Sequence, residues 1–282
     1  YEPVVIDLAM KMEQIGLRPF PLPMGMKLPQ DISINESPVK LENFDGFPDP
    51  TDSKADAQTS ALRNALNNDN VTMITHAYVE KLITDETGSK VTNVKAIVDG
   101  EEQFFSSDLI IVACGAVNSA ALFLRSANEQ HPNGLANSSD QVGRNLMLHH
   151  NGCLVAFTKK KNDSVFQKSL GLADFYHGAA DSEFPLGEIQ LMGRNDPDTI
   201  LWMGETLFPG KTYNELKEMS IDFWLTAEDL PNENNRVTLR DDGSIQVNYT
   251  RTNYTAYEKL KEKLKETFIK LGEIDTDYKD VQ

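Results

Sequence analysis

The chain has 282 residues, 40% apolar and 25% charged, the make-up of an ordinary soluble globular protein with room for one large domain or two smaller ones. Its 43 acidic residues against 27 basic ones give a net charge of -16, which argues against a nucleic-acid partner, because phosphate contacts need clustered Lys and Arg. Two cysteines, Cys114 and Cys153, exclude a disulfide scaffold and a four-cysteine zinc site, and the longest apolar run, 109–117, is far short of the ~20 residues of a membrane span.

The first predicted element is a helix with Val5, Leu8, Ala9, Met12 and Ile15 on one face and Gly16 as its stop. No methionine or signal-like segment precedes it, so the true N-terminus is expected upstream. Pro19-Phe-Pro-Leu-Pro23 must be extended, and residues 27–53, punctuated by Pro29, Pro38, Gly46, Pro48 and Pro50, read as a loop. Residues 53–62 read as a short helix capped by Ser53, with Asp56 in its first turn. From Val71 the period changes to that of strands: 71–75 with 78–83, then 91–98, then 103–105, with turns at Thr87-Gly88 and Asp99-Gly100.

This meander leads into Leu109-Ile-Ile-Val-Ala113, a β-rich apolar run of the kind buried on both faces of a sheet. Cys114 at its end is expected to pack as a small hydrophobe. Gly115 then turns the chain into a helix, 116–125. A strand that stops at glycine and becomes a helix aims backbone N–H groups at a site suited to an anion; a close helix–strand packing turn is the competing reading.

Residues 131–140 form a polar loop, followed by Val142-Gly-Arg-Asn-Leu-Met-Leu-His-His150. Lys159-Lys160-Lys161 reads as a solvated turn. Short strands follow at 153–157, 186–192 and 222–227, then a hairpin, 235–239 with 245–249, around Asp241-Asp-Gly243. Tyr254–Leu271 is an amphipathic helix with Tyr257, Leu260, Leu264, Phe268 and Leu271 along one face. The change of texture places a domain boundary near residue 150. Sequons stand at Asn70, Asn137, Asn162, Asn248 and Asn253; in so asparagine-rich a chain chance explains most of them, and they do not establish secretion.

In chain order these pieces resemble the glucose–methanol–choline family of FAD-dependent oxidoreductases. They are Thr75-His-Ala-Tyr-Val79, the meander, Cys114-Gly-Ala-Val-Asn-Ser119, Val142-Gly-Arg-Asn145 with His149, and Glu228-Asp-Leu-Pro231 with Asn235-Arg-Val237. Phe44-Asp-Gly-Phe-Pro48 and Lys54-Ala-Asp-Ala57 resemble the bacterial sugar- and polyol-oxidising, pyranose-oxidase-like branch. The chain departs from the family at Ala120 and Ala127, where proline and glycine are common.

The resemblance implies a mixed α/β fold. Residues 1–150 would be part of a Rossmann-like FAD domain with a β-meander. Residues 151–282 would be a substrate domain built on an antiparallel sheet, ending in the helix 254–271. It implies hydride transfer from the CH–OH group of a small-molecule alcohol, polyol or sugar to flavin. Val79 would meet the adenine of FAD through its backbone, and Cys114, Gly115 and Ala116 would lie near the adenosine half. Asn118 and Ser119 would cap the helix, Arg144 and Asn145 would fix a domain crossing, and His149 and His150 would be structural.

Phe223, Trp224, Gln190 and Met192 are candidates for the wall of a substrate site, with a place in the sheet core as the alternative, favoured for Phe223. No Gly-x-Gly-x-x-Gly is present, so the pyrophosphate loop is expected before Tyr1. The family's catalytic histidine is expected beyond Gln282, so this chain alone is expected to be inactive. The competing classes are a non-catalytic α/β interaction domain and, more weakly, a nicotinamide dehydrogenase. Substrate, electron acceptor, oligomeric state and compartment, cytoplasmic or periplasmic, cannot be read from these residues.

Overall fold

The computed structural model describes residues 2–25, 54–164, 167–193, 212–272 and 274–281. In chain order its strands are β1 (Phe20–Pro21), β2 (Ala77–Thr84), β3 (Val91–Val98), β4 (Glu101–Phe105), β5 (His149–Thr158), β6 (Leu170–Leu172), β7 (Glu188–Leu191), β8 (Ser220–Glu228), β9 (Arg236–Leu239), β10 (Ile245–Asn248) and β11 (Ile274–Val281). The chain divides into two compact units. The first comprises Tyr1–Ala65, His149–Glu228 and Asn253–Gln282, the second Leu66–Leu148 and Asp229–Thr252.

Unit one is an antiparallel sheet in the order β1-β6-β7-β8-β5-β11. Its spine is the β5–β8 ladder, paired from His149 opposite Glu228 to Phe157 opposite Ser220. Side chains alternate across a strand, so Ile221, Phe223, Leu225 and Ala227 share one face, and all are buried. They pack with Tyr257, Leu260, Leu264 and Phe268 of the helix Tyr254–Leu271 and with Val5, Leu8 and Met12 of the helix Pro3–Gln14. The Phe223 and Phe268 rings lie 5.1 Å apart, so Phe223 is a core residue. Gly152 of β5 lets the long helix approach, because a Cβ there would lie 1.7 Å from the Tyr257 hydroxyl oxygen.

Unit two holds the meander β2-β3-β4, the helix Gly115–Arg125 and the hairpin β9–β10. Leu82, Leu122 and Leu135 form its core, with Val79, Val94, Ile110 and Val112 packed against them. A bulge interrupts β2 between Val79 and Lys81. Nearby, the Leu82 N–H donates to the Ser126 hydroxyl at 2.9 Å, and that hydroxyl donates to the Leu122 carbonyl at 2.7 Å. One serine thus ties strand to helix while satisfying a donor outside the ladder.

Several expectations need correction. Residues 109–113 are extended but form no strand, because no described residue pairs with them. Ile110 and Val112 turn inward, while Leu109 and Ile111 are 74% and 78% exposed. An apolar run reads as buried on both faces, yet the packed residues of unit two cover only one. Cys114 is accordingly exposed rather than packed. Residues 71–75 form no strand, and Val71, Met73 and Ile74 are exposed.

The short helix begins at Ala57 and is capped by Asp56, whose carboxylate accepts from the Thr59 amide at 2.7 Å. Ser53, the expected loop over 27–53 and Phe44–Pro48 lie outside the described residues. The sequon residues Asn137 and Asn162 are buried, their amide groups donating to the Asn133 carbonyl and to Gln167 and the Ser220 carbonyl.

The Gly152–Tyr257 contact is testable by thermal unfolding. Gly152→Ala should destabilise the protein by about 1–3 kcal/mol. Adding Tyr257→Phe, which removes the nearest atom, should recover part of that loss relative to Tyr257→Phe alone. Strictly additive effects would show that the hydroxyl does not set the spacing.

Candidate functional site

The turn at Gly115 is built from three features. Gly115 has φ +79°, a conformation that glycine adopts without a Cβ penalty. A Cβ placed on it would meet no described residue within 4 Å, so close packing of the described helix and strands is not why glycine stands there. Ser119 accepts the Cys114 N–H on its hydroxyl at 3.1 Å, which pins the turn.

Cys114, Gly115 and Ala116 are together and exposed at the start of an eleven-residue helix that has no side-chain N-cap and no acidic residue in its first turn. The amides of that turn form the positive end of the helix dipole. Val79 lies half-buried in β2, an edge strand of the meander, so one side of the β2 backbone lies outside the ladder. Beside it, Arg125 stacks over the Tyr78 ring at 5.9 Å.

The Val142-Gly-Arg-Asn145 loop has a structural role within unit two. Arg144 pairs with the Asp140 carboxylate and donates to the Glu233 carbonyl at 3.1 Å; Arg236 also reaches Asp140, at 3.2 Å. Main-chain bonds join Gly143 to Val237 at 2.8 Å and Leu146 to Asn235 at 2.9 Å. In unit one, His149 is exposed at the start of β5, and His150 is buried edge-on to the Tyr254 ring at 5.9 Å.

Asp229, which motif reading left without a role, organises the 229–252 segment. Its buried carboxylate accepts from the Tyr249 hydroxyl at 2.7 Å, the Thr252 hydroxyl, and the amides of Leu230, Thr252 and Leu148. Burial raises the Asp229 carboxyl, but the Thr252 and Tyr249 hydroxyls with the Leu148 and Thr252 amides outweigh it and hold it far below the usual carboxylate range. Burial and the Asp229 carboxylate together push the Tyr249 phenol up to about 12.

The second face of the unit-one sheet carries different chemistry. Gln190 stands opposite Trp224, and Glu188 opposite Thr226. Across the β5–β8 ladder, Cys153 faces Trp224, Asn151 faces Thr226 and His149 faces Glu228. Thr226 donates to the Asn151 side-chain carbonyl at 3.0 Å, which confirms that these side chains share a face. Trp224 and Gln190 are half-buried, and Met192 packs with Trp224 around Cys153, Val155 and Phe157. The structure therefore separates the four wall candidates: Phe223 faces the helix, and Trp224 and Gln190 face away from it. Among the described residues no three His, Cys, Asp or Glu side chains are placed to hold a metal ion.

Residues 24–151 match the model of the family described as GMC oxidoreductase, so the glucose–methanol–choline likeness of the motifs is shown in that segment. The chain is 27% identical over 201 residues to a 2-methyl-1,2-propanediol dehydrogenase of Mycolicibacterium austroafricanum, an alignment covering 65% of this chain and 36% of the relative. It is 26% identical over 252 residues to a 6'''-hydroxyparomomycin C oxidase of Streptomyces lividus, covering 84% and 44%.

The fold is shared with a pyridoxine 4-oxidase from Mesorbium loti, with a TM-score of 0.59 at 14% identity over 99% of this chain and 53% of that one. The chain spans less than half the length of these curated relatives. The fold class is the expected mixed α/β, with antiparallel sheets and flanking helices. FAD is the typical cofactor of the family. No helix among the described residues is long and apolar enough to cross a membrane.

The Asp229 network makes a signed prediction. A depressed carboxyl contributes stability that is present above its unfolded pKa of ~4 and is lost as pH falls through the lower folded value. Asp229→Asn should therefore cost about 1–3 kcal/mol near neutral pH and flatten the acid limb of the stability curve. Tyr249, with its phenol raised, contributes stability below pH ~10 that is lost as pH rises toward 12. An unchanged acid slope in Asp229→Asn would refute this assignment.

Proposed function

We propose that the chain is part of a flavin-dependent oxidoreductase acting on the CH–OH group of a small alcohol, polyol or sugar. The observation that carries this reading is the exposed, uncapped helix start at Gly115 inside the segment matched by the GMC oxidoreductase family. The residues fit FAD: an open turn, first-turn amides without a competing side-chain acceptor, and an edge strand beside it. Val79 would hold the adenine through its backbone, and Cys114, Gly115 and Ala116 would lie along the adenosine half. FAD, when bound, supplies the hydride acceptor for the oxidised carbon.

The chain's own residues bind and orient. Ser119 keeps the Cys114–Gly115 turn in shape, and the unit-one sheet offers Trp224, Gln190, Thr226 and Asn151 as a wall for a hydroxylated substrate. None of the described histidines is assigned as the base. Two relatives are named for 2-methyl-1,2-propanediol and for 6'''-hydroxyparomomycin C, both hydroxyl compounds by name, which fits an alcohol substrate.

The test uses a matched pair of glycines in the full-length protein. Gly115 and Gly243 have the same φ of +79°, and neither has a neighbour within 4 Å of a built Cβ. Gly115→Val and Gly243→Val should therefore carry similar backbone strain, on the order of 1 kcal/mol or slightly more. Flavin per chain, read by absorbance, should fall in Gly115→Val and hold in Gly243→Val. Equal retention would remove Gly115 from the cofactor turn.

A further inference from the structure

The chain passes between its two units four times, at 65/66, 148/149, 228/229 and 252/253. Three of these crossings meet at one side chain. Within unit two, the buried Asp229 carboxylate accepts from the Leu148 amide at 3.4 Å, from the Thr252 amide at 3.1 Å and from the Thr252 hydroxyl. Asp229 is itself the first residue of unit two after the crossing at 228/229. At each of the three crossings, the terminal residue of unit two is therefore either this aspartate or bonded to it. Tyr249 adds its hydroxyl at 2.7 Å and Leu230 its amide at 3.0 Å.

Unit one holds its own ends of the same three crossings by other bonds. His149 and Glu228 are register partners at the end of the β5–β8 ladder, and the Asn253 side-chain amide donates to the Glu228 carbonyl at 2.9 Å. Residues 149, 228 and 253 are thus joined within unit one, and 148, 229 and 252 within unit two, although Leu148 and Asp229 are 81 positions apart in sequence. The two sets differ in kind. The unit-one set is ladder pairing with one added amide, which can lose a bond without disturbing the next. The unit-two set has a single ionised acceptor at its centre. Pulling one donor away leaves a buried charge under-satisfied, and that cost falls on every remaining arm.

We propose that Asp229 is the clasp of a three-stranded hinge: through its one carboxylate the crossings at 148/149, 228/229 and 252/253 open together and not singly. The fourth crossing follows the helix Arg63–Ala65 and lies outside this arrangement. The inference stands apart from the oxidoreductase reading, because it concerns how the units are tied and not what they bind.

The test is native-state hydrogen exchange of the full-length protein, read by mass spectrometry. In the unmodified protein, the amides of Leu148, Leu230 and Thr252 should respond alike to low denaturant, because coupled amides share one opening free energy and one denaturant slope. Thr252→Val removes one hydroxyl with little change of shape. Although that change lies at a single crossing, exchange should speed by about 10-fold in peptides covering 146–150, 228–232 and 250–254, while β3 stays within about 2-fold of its original rate. The decisive peptide is 146–150, whose Leu148 amide is bonded to Asp229 and not to Thr252. Asp229→Asn should speed the same three peptides at least as much. Three separate denaturant responses in the unmodified protein would overturn the proposal, and that measurement needs no variant to fold. Acceleration confined to 228–232 and 250–254 in Thr252→Val, or an equal acceleration of β3, would overturn it as well.

Discussion

The antiparallel pairing of β5 with β8 is the constraint on which unit one depends. The ladder runs in register from His149–Glu228 to Phe157–Ser220. Because side chains alternate strictly, that register assigns every residue of both strands to a face in a single step. A slip of one position would send Phe223 and Leu225 outward and bring Trp224 and Glu228 against the long helix. The buried apolar set, closed by Leu260, Leu264 and Phe268, holds the register against such a slip. The polar face is thus a consequence of how the apolar face packs, and its chemistry is inherited from the alternate residues.

Unit two meets a different demand, since its chain reverses through loops that cannot satisfy their own amides. Single side chains take over that work. Ser126 serves the β2 bulge, Asn235 both donates to and accepts from the Thr250 backbone at 2.8 Å, and Asp229 gathers donors from 148–252. A carboxylate surrounded by donors is stable only while ionised, which links this part of the fold to pH through one residue. Arg144 and Arg236, converging on Asp140, tie the 140–146 loop in the same way.

The open turn at Gly115 and the polar sheet face contrast with these braced regions. Among the described residues, the helix start keeps its first amides without a side-chain cap, and the sheet face presents Trp224, Gln190, Thr226 and Asn151. Elsewhere the same chain pairs such groups readily, as Lys95 does with Glu80 and Glu102, and Lys263 with Asp181 and Glu266. Polar groups left without protein partners in an otherwise well-satisfied fold are where a ligand gains most by binding.

The sequence by itself determined the local elements whose signals are short-range. The meander follows from its Asp-Gly turn and alternating residues, the helix Tyr254–Leu271 from its 3.6-residue apolar period, and the Gly115 turn from glycine's tolerance of positive φ. The order of the motifs carried the likeness to GMC oxidoreductases, which the family model matches over residues 24–151. Tertiary structure alone decided which neighbours were available. Leu109–Ala113 has strand-forming residues, but a strand exists only when another backbone completes its hydrogen bonds, and no described residue does so. Whether Trp224 or Phe223 faces the core, and that Glu188, Glu228 and Tyr176 converge, depends on register between segments some forty to eighty residues apart. Such pairing is set by the summed packing of a whole face, which no local pattern encodes.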